Sequence, residues 1–89
     1  MNKHTAINED TGRVYTRNSK TRIYAFAVVL DVRYADGSVS HERLGVKSEA
    51  LWTSRADLAE KIVRKLADDY RAYSHPEIEI SVLPAMLNL

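Results

Sequence analysis

From Tyr24 to Tyr34 every even position is large and apolar: Tyr24, Phe26, Val28, Leu30, Val32 and Tyr34. The odd positions are Ala25, Ala27, Val29, Asp31 and Arg33. Successive side chains of an extended chain point to opposite faces, so a period of two kept up this long requires a β-strand with its even face against a core. A helix repeats every 3.6 residues and could not hold these six side chains on one side.

The way back from this strand follows from burial. Ala35-Asp36-Gly37 is a turn. A two-residue Asp-Gly turn would pair Tyr34 with Val39, put Arg43 and Lys47 on the core face and set Asp31 opposite Glu42. A three-residue loop with Gly37 in a left-handed bulge pairs Tyr34 with Ser38 and Asp31 with His41, and turns Leu44 and Val46 toward Val28 and Phe26. A slip of one residue exchanges the two faces, so the three-residue loop is selected, followed by a strand over 38–47.

Further on, Ser54-Arg55-Ala56-Asp57 resembles a capping box with Asp57 in place of the usual glutamate. Leu58, Ala59, Ile62, Val63, Leu66, Tyr70 and Tyr73 then recur at helical spacing. The opposite face offers charge pairs four residues apart, from Asp57 and Lys61 to Lys65 and Asp69. His75-Pro76 ends the helix. EIEISVL at 77–83 alternates Ile78, Ile80 and Val82 against Glu77, Glu79 and Ser81, which is another strand. Trp52 is expected to plug the end of the helix-side core.

At the other end, residues 1–12 read as a flexible head and 13–89 as a single domain. VYTR at 14–17 is β-prone and Asn18-Ser19-Lys20 is turn-forming, so a hairpin is expected with Tyr15 opposite Ile23. The sum is an α+β fold: a four-stranded, mainly antiparallel sheet with one amphipathic helix on one face, in the order β-β-β-α-β.

Composition narrows the chemistry. The 89 residues include no cysteine, which excludes disulfides and thiolate metal sites. Glycines stand at 12, 37 and 45 and cannot form a phosphate-cradling loop. His4, His41 and His75 lack the spacing of a metal site, and no nucleophile elbow surrounds Ser74. No cofactor, no metal and no enzymatic activity are expected. The longest apolar run, IYAFAVVL at 23–30, is far short of the ~20 residues that span a membrane, and MNKHTAINEDTG has no signal-type apolar stretch. A cytoplasmic protein without a membrane partner is expected.

If the helix covers the even face of the central strand, the odd face is open. It would carry Tyr15, Arg17, Arg33, His41, Arg43 and Lys47 around a flat centre of Ala25, Ala27 and Gly45. Arginine and tyrosine are the usual anchors of protein interfaces, so these six residues form the expected partner-binding face, with a homo-oligomer as one version. Strands 14–17 and 77–83 are candidate edges that could pair with another chain. The alternative is nucleic acid, held by Arg17, Lys20, Arg22, Arg43 and Lys47. Residues 1–24 carry five cations against two carboxylates, but the whole chain carries only +1, which favours a protein partner. The order of three strands and a helix over 14–73 resembles the sheet-based DNA-binding domains of phage-type integrases, a resemblance that implies the nucleic-acid reading. In size and lack of catalytic signature the chain resembles the small inhibitors that phages direct against bacterial defences, such as anti-CRISPR proteins, which implies the protein-binding one.

Overall fold

The computed structural model describes residues 1–44, 48–70 and 77–88. The long alternating segment is strand β3 (Phe26–Arg33), and it lies inside a four-stranded antiparallel sheet. On one side β3 pairs with β4 (Val39–His41) and β5 (Leu51–Thr53). On the other it pairs along its whole length with β6 (Glu77–Pro84). Helix α1 (Ala56–Asp69) packs on this sheet. The expected α+β class and the helix on one sheet face are both present.

The turn after β3 closes in the expected register. Asp31 faces His41, the Tyr34 amide donates to the Ser38 carbonyl at 2.9 Å, and Gly37 has φ of +89°. A side chain would strain that backbone angle, which explains the glycine. The strand expected over 38–47 ends at His41, and Leu51–Thr53 takes over the same edge opposite Val28 to Phe26. Leu44 reaches the helix-side core as expected; Val46 lies outside the described residues.

The even face of β3 meets α1. Val28, Leu30 and Val32 are buried with Ala59 and Leu66, and Phe26, Ile62, Val63, Ile78 and Ile80 close around them. The capping box does not form. The N-cap is Arg55, in extended conformation and with no side-chain cap, and its guanidinium grips Asp57 through two hydrogen bonds of 2.9 and 2.6 Å. Tyr73 and the His75-Pro76 stop lie outside the described residues.

The odd face is where expectation and structure part. It is not open. Residues 2–8, expected to be a flexible head, form strand β1 (Asn2–Asn8), which pairs with β2 (Arg13–Ser19) on one side and β7 (Met86–Asn88) on the other. This three-stranded sheet lies against the odd face of β3. Tyr15 therefore faces Ala6 across a β1–β2 hairpin rather than Ile23. Ala6, Tyr15, Ala27, Val29, Ala50 and Leu83 make a second buried cluster, with Trp52 packed against it instead of against the helix-side core. Small and large side chains share this cluster; Ala6 and Ala27 are fully buried in it. The tail after Pro84 folds back on its own chain, with Leu87 opposite His4.

Polar residues also bridge the two sheets. His4, fully buried, accepts the Tyr24 backbone N–H on Nε2 at 3.0 Å, which places its ring proton on Nδ1. Buried Asp31 accepts a 2.6 Å bond from His41 Nδ1 and a longer one, 3.4 Å, from the Asn8 side chain. Among the described residues no helix is long and apolar enough to cross a membrane.

Candidate functional site

The expected site residues do not assemble on one face. Tyr15 is buried between the sheets. Arg33 sits at the end of β3 and forms a surface pair with Glu79 at 3.4 Å. His41 is tied to Asp31. Arg43 is exposed in the loop after β4, and Lys47 lies outside the described residues. Arg17, Lys20 and Arg22 are exposed at the far end of β2 and in the segment after it, away from the β3–β4 turn. The face that was to unite these residues is occupied by β1, β2 and β7.

Burial has a chemical consequence for Tyr15. Its hydroxyl is held above the ordinary tyrosine value, first by desolvation and then by the negative charge of Asp31; Arg13, 5.8 Å from the ring centre, pulls the other way. A raised value means that the contribution to stability is intact below the ordinary tyrosine range and is lost as pH rises through the folded value. In a spectrophotometric titration a tyrosine should ionise above the ordinary range, and Tyr15→Phe should remove that late step. A late step that survives in Tyr15→Phe, or is absent from the wild type, would contradict the buried position.

What remains open is an edge. Strand β6 is the outer strand of its sheet and, among the described residues, pairs with β3 alone. Its polarity can be read from its neighbour. The Tyr34 amide and the Leu30 carbonyl bond toward the β4 side, at 2.9 and 3.0 Å, whereas the Ala25 carbonyl takes the Ala85 amide on the β6 side. Even residues of β3 thus bond to β4 and β5, and odd ones to β6. In an antiparallel ladder the partners alternate in the same way. Leu83, Ser81, Glu79 and Glu77 turn their amides and carbonyls inward to β3, and Ile78, Ile80 and Val82 turn theirs outward.

A groove runs beside this edge. It holds about 530 Å³, with Phe26 and Val82 on the sheet side and Ala56, Ala59, Glu60, Val63 and Arg64 of α1 on the other. It lies on the helix side of the sheet, the same side as the side chains of Ile78, Ile80 and Val82, the last of them 45% exposed. On the opposite side of β6, Glu77 and Glu79 are exposed.

The alternation of 77–83 made this strand visible in the sequence, as it did its candidacy as an edge. The groove was not visible, because Phe26, Ala59 and Val63 carry the same apolar signal whether they are sealed in a core or line its open margin. Comparison of the chain with protein-family models, curated proteins and solved structures finds no match.

Proposed function

We propose that this chain is a non-catalytic protein-binding module that takes an extended segment of a partner onto the outer edge of β6. The observation that supports the reading is the coincidence of a free edge with a groove. Outward amides and carbonyls at Ile78, Ile80 and Val82 supply main-chain affinity, and the groove between α1 and β6 accepts every second side chain of an added strand. The partner segment has apolar residues at alternate positions on the groove side. On the opposite side basic residues would meet Glu77 and Glu79. A module of this kind acts by occupying its partner's edge, as an inhibitor does.

Proline separates binding from folding here. Val82 turns its N–H outward, so Val82→Pro removes a donor that β3 does not use, as prolines on edge strands do. The variant should keep its far-UV circular dichroism. Random peptides displayed on phage and selected on the wild-type chain should show alternating apolar residues and lose most of their binding to Val82→Pro. Undiminished binding to that variant would refute the β6 edge. Selection of the chain's own 77–84 segment, with concentration-dependent light scattering, would identify the partner as a second copy.

A second reading is nucleic-acid binding through Arg17, Lys20 and Arg22. Its support is that all three are exposed and none is ion-paired among the described residues. It requires affinity that falls steeply with salt.

A further inference from the structure

On the other flank of α1 lies a cavity that shares no residue with the groove. It holds about 450 Å³, within the ~300–1,000 Å³ of small-molecule sites. Two aromatic residues, Tyr24 and Trp52, belong to its lining. The Tyr24 and Trp52 rings lie 6.2 Å apart at 53°, and the buried His4 ring braces Tyr24 edge-on at 5.1 Å while its Nε2 holds the Tyr24 amide. Trp52 is only half-buried. Leu58 and Ile62 of α1 add apolar lining.

The charges of this cavity are all of one sign. Among the described residues, Arg22 and Lys61 line it and no carboxylate does. Lys61 would ordinarily pair with Asp57 one turn earlier, but Arg55 already holds both oxygens of that carboxylate. Neither Lys61 nor Arg22 has an ion pair among the described residues. The hydroxyl of Thr53, also in the lining, accepts the Arg55 amide at 3.3 Å and so keeps its own proton to donate.

We propose that this cavity binds a planar aromatic anion of mononucleotide size. The ring lies against Trp52. The phosphate sits between Arg22 and Lys61, with the Thr53 hydroxyl as an additional donor. Cations placed around a ring-binding wall distinguish such a ligand from a neutral aromatic and from a free phosphate. The site is independent of the β6 edge and would stand if the edge reading failed.

Trp52 is the sole tryptophan of the chain, so the tryptophan emission comes from a residue of this lining. Titration with AMP should change that emission saturably, and adenosine should bind at least tenfold more weakly. Lys61→Glu and Arg22→Glu alter exposed side chains and should leave the circular dichroism unchanged. Each should weaken AMP about tenfold or more, as expected for loss of a hydrogen bond to a charged group. Val82→Pro should bind AMP as the wild type does. No saturable change at millimolar AMP would overturn the proposal. So would equal binding of adenosine and AMP, or indifference to both charge reversals. A single-stranded oligonucleotide that binds where AMP does not would overturn it in favour of an extended strand.

Discussion

Replacing Leu30 with alanine should remove about 2–5 kcal/mol of stability, the usual cost of opening a cavity in a core that cannot collapse. Leu30 is 1% exposed and stands at the middle of the helix-side cluster, flanked by Val28 and Val32 on its own strand and covered by α1. A domain of this size has only about 5–15 kcal/mol in total, so the loss is a large part of what holds it folded. Urea denaturation should show a lower midpoint with the slope unchanged. A loss below about 1 kcal/mol would mean that the site is not sealed by the helix.

Leu83→Pro should cost about 3 kcal/mol or more, although it lies beside the tolerant position 82. Leu83 turns its amide inward to Ala27, and its side chain is 7% exposed in the cluster between the sheets. Proline there strands the buried carbonyl of Ala27, at about 1–3 kcal/mol, and forfeits part of the ~1.5–3 kcal/mol from burying a leucine. The contrast with Val82→Pro is what the ladder polarity of β6 requires. Thermal unfolding of the two variants side by side measures it. Equal destabilisation would mean that the amides of Val82 and Leu83 are both in use within the fold and would remove the free edge on which the proposed function rests.

Some of this was legible in the residues and some was not. The even side of β3 was readable because large apolar side chains at period two leave no choice of face. The turn register was readable for the same reason, since the alternative put Arg43 and Lys47 in the core. The covering of the odd face was hidden. Its residues, Ala27 and Ala25 among them, suit an open sheet and a close sheet-to-sheet contact equally well. Strand β1 conceals itself further by inverting the usual rule: His4, Ala6 and Asn8 point inward, whereas Ile7 is 42% exposed, as is its cross-strand neighbour Val14 at 54%. Asn8 and His4 each find one hydrogen-bond partner inside, Asp31 and the Tyr24 amide, both distant in sequence, while the buried Nδ1 of His4 has none among the described residues. No local pattern announces such partners. For the same reason the sequence marks Trp52 as a core plug but points to the helix-side core, whereas it packs against the cluster between the sheets.

By itself, the order of residues determined the local elements: the central strand and its even face, the bulged turn at Gly37, the amphipathic helix and the strand at 77–83. Each follows from forces acting within a few residues, namely backbone sterics, side-chain periodicity and turn chemistry. Only the tertiary structure decided that β1, β2 and β7 cover the second face, that β6 is left as the open edge, and that Arg22, Trp52 and Lys61 meet around one cavity. Those outcomes depend on which distant surfaces fit together in volume and hydrogen bonding, a property of pairs of segments that neither segment carries alone.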